Sequence, residues 1–233
     1  MRSSPATSTL HSVTCVDIAA FAGSLRVTSY NRGLLRAAAE LAPVDVAIEI
    51  LDLASIPLFN QDLERSGLPE TVANLRQRVR EADGLLIATP EYNHTIPGVL
   101  GNTIDWLTRR TPTSPLRDKP VAIMGAARGG GSVRAQAALR VPLVHAHAAV
   151  LDGPVVALHN IDELATETGD LVDLRRDKAW PAWSGLSPAW CARQVPDNYS
   201  ARAGKTSCWS RRNGAKSKGC PAAITKWLKP TAM

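Results

Sequence analysis

Three short polar stretches, each following an apolar run, hold most of the side chains in this chain that could do chemistry. The first, "AGSLRVTSYNRG", offers Gly23, the hydroxyls of Ser24 and Ser29, the guanidinium of Arg26, and Asn31 where a helical pattern begins. Gly23 allows a tight turn, Asn31 suits a helix cap, and backbone N–H groups at a helix start favour an anion such as phosphate. The stretch is neither GxGxxG nor GxxxxGK(S/T), so a dinucleotide bound in the Rossmann manner and a P-loop triphosphate both lack their fingerprint. A monophosphate site and an ordinary capped turn are the two readings left.

In the second stretch, "PEYN", Pro90 ends an apolar run and Tyr92 supplies a flat aromatic face. Asn93 and the local backbone add hydrogen-bond donors and acceptors that could hold a planar heteroaromatic ring by its edge. Glu91 is a lone carboxylate, which reads as a structural hydrogen-bonding group before it reads as a general base. Asn102, Asp105 and Trp106 lie on the following helix, where capping or packing is the expectation. The third stretch, "GAARGGGS", contains Gly125, Gly129 and Gly130, which allow a backbone to approach a ligand closely, and Arg128, which could meet an anionic cosubstrate or face solvent. His145 and His147 are two apart and would point to different sides of a helix, so they make no metal pair. No GxSxG elbow is present.

The elements that must position these loops alternate. Apolar runs at 13–21, 44–51, 84–90, 119–127 and 149–158 read as five strands, separated by helical patterns at 31–42, 69–82, 98–110 and 131–147. Leu34, Leu35, Ala38 and Leu41 share one helical face, as do Val72, Leu75 and Val79, and Pro142 should bend or shorten the last helix. Strands of nearly unbroken apolar character between helices predict a parallel sheet covered on both faces, an α/β fold. Such a sheet binds its ligand beyond the carboxyl ends of its strands, where loops 23–31, 90–97 and 125–132 would meet.

The chain has 233 residues, 45% of them hydrophobic, enough for one full core. Its net charge of +6 invites a nucleic-acid reading, but residues 180–233 alone carry +8, leaving −2 on the rest. No nucleic-acid module stands out in that segment, so a basic protein acting through its tail would bind without sequence specificity. Four cysteines form neither a CxxC pair nor a dense framework, which fits a reducing compartment and predicts a cytoplasmic protein. Ala20-Phe21-Ala22 resembles a signal-peptide cleavage site, yet Asp17 interrupts the apolar run and cleavage there would remove the first strand. No apolar run approaches the roughly 20 residues that span a membrane.

"GSLRVTSYN", "PLFNQDL", "ADGLLIATPEYNHTIPGVLGNTIDWL" and "KPVAIMGA" with the following glycines and "RAQ" resemble, in order and spacing, the NAD(P)H-dependent FMN reductases. This family of the flavodoxin-like fold includes bacterial quinone, azo and chromate reductases. The resemblance covers about residues 13–173 and implies a flavodoxin-like three-layer sandwich around a five-stranded parallel sheet. It further implies bound FMN, with NADPH or NADH as cosubstrate. Ser24, Arg26, Ser29 and Asn31 would enclose the FMN phosphate. Pro90, Glu91, Tyr92 and Asn93 would lie against the ribityl chain and ring, and Gly125, Gly129 and Gly130 would border the ring's other side. No protein side chain need be catalytic, since the flavin would take hydride from the nicotinamide and pass two electrons to a quinone, azo compound, chromate-like oxyanion or free flavin. The family also implies a homodimer or homotetramer. A flavodoxin-like electron carrier is the alternative within the fold, though the "PEYNHTIPG" loop is similar to reductases. Ala127, Gly101 and "VPLVHAHAAVLDGP" depart from the family pattern.

This organisation divides the chain into an N-terminal extension (1–12), the FMN-binding domain (13–173) and an irregular basic tail (174–233). "TGDLVD" still resembles the lead-in to the family's final helix, after which the match stops. The tail holds five of the six tryptophans and three of the four cysteines without helical period. That vocabulary fits a basic extension disordered by composition, or translation of a GC-rich gene out of frame.

Overall fold

The computed structural model describes residues 16–109, 113–153 and 155–172. The expectations for 1–12 and 174–233 lie outside them.

Strands β1 (Val16–Ala22), β2 (Val46–Ile50), β3 (Gly84–Ala88), β4 (Pro120–Ala126), β5 (Ala149–Val150) and β6 (Val156–Leu158) form one sheet, every ladder parallel. The order is β2-β1-β3-β4-β5, with β6 also on β4. The chain leaves β1 for β2 on one side and returns for β3 on the other, which places the topological switch between β1 and β3.

Side chains alternate across each strand and so build two cores. Ala19, Phe21, Leu85, Ile87, Val121 and Ile123 face α3 (Glu70–Glu81), α4 (Gly98–Thr108) and α5 (Val133–His145). Ala20, Ala22, Leu86, Ala88, Ala122 and Met124 face α1 (Tyr30–Leu41). The small residues on the α1 side let that helix approach closely. Val72, Leu75 and Val79 are all buried, as their spacing predicts, and Leu41 is half-buried. The three-layer arrangement and the parallel sheet are therefore as expected.

Four details differ. The fifth strand is two short ones: pairing with β4 stops at Val150, opposite Val121, and resumes at Val156, opposite Met124. Asp152 and Gly153 are turn-forming types that suit the break. Part of the "IPLFNQDL" loop is helical: α2 (Gln61–Ser66) starts at Asn60, whose side chain accepts a hydrogen bond from the Asp62 N–H. Pro142 lies inside α5, which continues to His145 and ends where His147 takes a left-handed φ of 59°. A proline in the last turn forfeits only one internal hydrogen bond, so the helix closes just beyond it. Gly23 has no left-handed backbone; a Cβ there would sit 3.3 Å from Leu100, Pro90 and Pro97, so close packing between loops, not a turn conformation, is what favours a small residue.

Two buried cations cap helices from a distance. Arg76 donates to the Trp106, Leu107 and Arg109 carbonyls at the end of α4, and Lys119 to the Arg80 and Ala82 carbonyls at the end of α3. Each places positive charge on the negative end of a helix dipole. Asn102 and Trp106 do pack and bond as expected, both donating to the Pro57 carbonyl while Asn102 accepts from the Phe59 N–H.

Candidate active site

The chain leaves β1 and β3 side by side: the Gly23 N–H donates to the Ala88 carbonyl at 2.8 Å and the Thr89 N–H to Met124 at 2.9 Å. Beyond these ends lies a pocket of about 230 Å³ lined by Ser24, Arg26, Ser29, Tyr30, Asn31, Pro90, Glu91, Tyr92, Ala126, Ala127 and Arg128. Seven of the residues assigned to cofactor binding from the sequence, and Arg128 with them, thus share one cavity.

Its β1 wall is built for an anion. Ser29 is the N-cap of α1, its hydroxyl oxygen accepting from the Arg32 N–H. Ser24 accepts from the Arg26 N–H at 3.4 Å and from the Tyr92 hydroxyl at 3.3 Å. In both serines the oxygen is engaged as acceptor while the O–H proton is still available to donate. The first-turn N–H groups of α1 have no carbonyl a turn earlier and carry the positive end of the dipole. Arg26 donates to the Thr28 hydroxyl and sits 5.8 Å above the Tyr30 ring, and no carboxylate among the described residues pairs with it.

Asn31 is not the helix cap. It lies inside α1, buried, with its amide donating to the Ala126 carbonyl and accepting from the Ala126 N–H, both at 3.0 Å. That two-bond clamp ties α1 to the end of β4 and fixes one pocket wall.

The β3 loop is occupied by its own scaffold. Tyr92 and Thr95 exchange two backbone hydrogen bonds around Asn93 and His94, whose φ values are 51° and 61°. Asn93 is therefore the first residue of a tight turn that favours asparagine, and it does not line the pocket. The Glu91 carboxylate accepts from the Arg134 and Ala135 N–H groups, from the Arg134 guanidinium at 3.1 Å, and meets His94 Nδ1 at 3.2 Å. Ser132, the residue at the N-cap of α5, makes no side-chain cap, so Glu91 caps that helix from 41 residues upstream. Burial opposes the charged carboxylate, but the bonds from His94, Arg134 and the two N–H groups outweigh it and hold its pKa below the ordinary value.

The glycines of the third stretch divide. A Cβ on Gly125 would sit 2.0 Å from Ser132 Oγ and 2.2 Å from the Thr89 carbonyl, so internal packing demands glycine there and a ligand is not needed to explain it. Gly131, which sequence reasoning passed over, has φ 73° and would press a Cβ to 2.9 Å of the His159 ring. Gly129 and Gly130 have neither a left-handed φ nor any atom within 4 Å of a Cβ. Their openness leaves room beside the pocket.

Tyr30 and Arg128 complete the rim, both bonded to Asp162. Tyr30 lies within the quoted motif without having been singled out, but Asp162 has no sequence signal because it lies 132 residues from Tyr30. Among the described residues no three His, Cys, Asp or Glu side chains gather as metal ligands, and no helix is long and apolar enough to cross a membrane.

A 2-1-3-4-5 parallel sheet with an anion-suited pocket at its switch point defines the class, a flavodoxin-like α/β protein. The profile of the NADPH-dependent FMN reductases matches residues 16–163, and the chain belongs to that family. It is 41% identical over 165 residues to an NAD(P)H-dependent FMN reductase of Pseudomonas aeruginosa, covering 70% of this chain and 87% of that one. A 2-hydroxy-1,4-benzoquinone reductase of a Burkholderia species is 35% identical, with 75% and 96% covered. A quinone reductase of Escherichia coli K12 is 38% identical, with 68% and 86% covered. Among solved structures, a flavoenzyme NAD(P)H:(acceptor) oxidoreductase from Paracoccus denitrificans superposes with a TM-score of 0.69 at 29% identity, covering 77% of this chain and 98% of that one. The protein is thus an FMN-dependent NAD(P)H oxidoreductase, as the resemblance implies, rather than a carrier alone.

Proposed function

We propose that FMN binds in the pocket at the β1/β3 switch point and that the enzyme reduces quinones with NADPH or NADH. The observation that carries the placement is the β1 wall: two serine O–H groups, the start of α1 and an arginine without a carboxylate partner among the described residues converge on one cavity. That donor set fits a phosphate monoester. Pro90 and Tyr92 offer apolar and aromatic surface to a flat ring, and Gly129 and Gly130 let backbone come close to it.

FMN, when bound, supplies two-electron redox chemistry that no protein side chain offers. The chain's residues bind and orient. Ser24, Ser29 and Arg26 grip the phosphate, Asn31 holds the wall behind it, and Glu91 fixes the β3 loop to α5. Glu91 is a charged, fully engaged hydrogen-bond acceptor, so it serves as anchor and not as a proton donor.

Quinones are the acceptor class supported by the named activities of the Burkholderia and Escherichia coli relatives. The enzyme works in the cytoplasm as a homodimer or homotetramer; Val141 and Val144, one helical turn apart on α5, are exposed at 72% and 60% and suit a subunit contact. Titrating apo-protein with FMN by flavin fluorescence, then following NADPH or NADH oxidation with and without a benzoquinone, tests the reading. Quenching and quinone-dependent oxidation are expected; a protein that ignores added FMN refutes the pocket, and sedimentation as a monomer refutes the assembly.

A further inference from the structure

We propose that Asp162 is a positioning residue that holds the mouth of the FMN pocket through Tyr30 and Arg128; the proposal rests on the placement of FMN in that pocket. A single oxygen, Asp162 Oδ1, accepts from the Tyr30 hydroxyl at 2.7 Å and from Arg128 Nε at 3.0 Å. Tyr30 opens α1 and Arg128 lies in the loop after β4, so one carboxylate joins at the mouth two pocket walls that the Asn31 clamp on Ala126 ties at their base. The tie reaches further, because Arg26 lies over the ring of the same Tyr30.

Asp162 stands on a firm base. Its neighbour Ile161 is fully buried against the α1 side of the sheet, and Asn160 takes a left-handed φ of 48° that turns the chain into the short 3-10 segment Ile161–Glu163. Further along, Gly169 crosses α1 so closely that a Cβ on Gly33 would sit 1.9 Å from its carbonyl, and Asp170 bonds Arg36 at 2.7 Å. The segment 160–172 is therefore a strap docked on α1 by contacts of its own, and Asp162 is the point where it reaches the pocket.

Charge gives the contact a second consequence. Two arginines line the cavity, and Asp162 neutralises one of them. Arg26 is left as the cation open to an incoming phosphate, which sets which end of the pocket the phosphate takes. The Asp162–Arg128 pair is exposed, so its effect on folding stability is small and its effect on ligand retention is what distinguishes it.

The test compares FMN dissociation rates, measured by recovery of flavin fluorescence on dilution, together with melting of the apo-protein. Asp162→Asn is expected to speed dissociation about fivefold with melting little changed. Adding Tyr30→Phe to Asp162→Ala, which removes the shared acceptor altogether, should change the rate of Asp162→Ala by less than about twofold. Asp170→Asn, which loosens the same strap away from the pocket, should stay within about twofold of the parent. An Asp162→Asn rate equal to the parent's, or an Asp170→Asn rate as fast as that of Asp162→Asn, overturns the proposal. If Asp162→Asn fails to fold, Tyr30→Phe alone decides, with about two- to threefold faster dissociation expected and an unchanged rate refuting. Arg26→Ala is run alongside: unaltered FMN binding there refutes the placement of FMN itself, whatever Asp162 does.

Discussion

The loops after β1 and β3 emerge beside each other and both end an apolar strand in a polar tip, yet their polar groups face opposite tasks. The β1 loop keeps its donors available: Ser24 and Ser29 still have O–H protons to give, and Arg26 has no carboxylate among the described residues. The β3 loop has used most of its own: Glu91 caps α5, Asn93 makes the turn, and only Pro90, Glu91 and Tyr92 reach the cavity wall. Identical-looking polar tips are thus a binding surface in one case and a brace in the other. Partner geometry separates them where residue type does not.

The harshest break in this division comes from beneath the β3 loop. Gly125→Ala forces a Cβ against the Thr89 carbonyl and Ser132, and should cost about 3 kcal/mol of stability, whereas Gly130→Ala should leave the apo-protein unchanged and weaken only FMN binding. Urea unfolding of the two variants beside FMN titration reads both halves of that contrast; equal stability loss in the two would erase it.

On the binding side, Arg26→Ala should weaken FMN about ten- to hundredfold, the value of one charged hydrogen bond, while apo-protein stability stays within ~0.5 kcal/mol. Turnover of the flavin-saturated enzyme should fall less than affinity does. An unchanged titration would move the phosphate elsewhere.

On the bracing side, Glu91→Gln should lower stability by about 1 kcal/mol near neutral pH, since a charged cap becomes a neutral one. The native pKa of Glu91 lies below its unfolded value, so its contribution is complete above the unfolded value and is lost as pH falls through the native one. Melting curves of parent and variant should therefore converge in acid. A gap that persists unchanged below the carboxylate range would mean that charge is not what Glu91 contributes.

The gentlest probe is Asn93→Gly. Glycine accepts a φ of 51° without strain, so stability should shift by only a few tenths of a kcal/mol and FMN affinity by less than about twofold. A large loss of affinity would return Asn93 to the binding surface.

The α/β alternation, the parallel sheet and the gathering of three loops at one edge could be read from the residues directly, because strand period and helical period are local properties that each segment carries alone. Eight pocket residues came from the same reading. What escaped it were assignments within the loops. Asn31 has the type of a cap, but Ser29 holds that place and Asn31 clamps Ala126, a partner 95 residues away. Glu91 found α5, Arg76 and Lys119 found the ends of two helices, and Gly131 alone of its run proved to need glycine for the chain's own packing.

From its order of residues the chain determined its periodicities, hence its layers, and the chemical types present at each turn. Which hydroxyl caps, which carboxylate braces, which glycine is filled by a neighbour and which stays open were decided only when the sheet brought distant segments within 3 Å. Hydrogen bonds and close packing depend on that distance, and the distance between Tyr30 and Asp162 is written nowhere in the 131 residues that separate them.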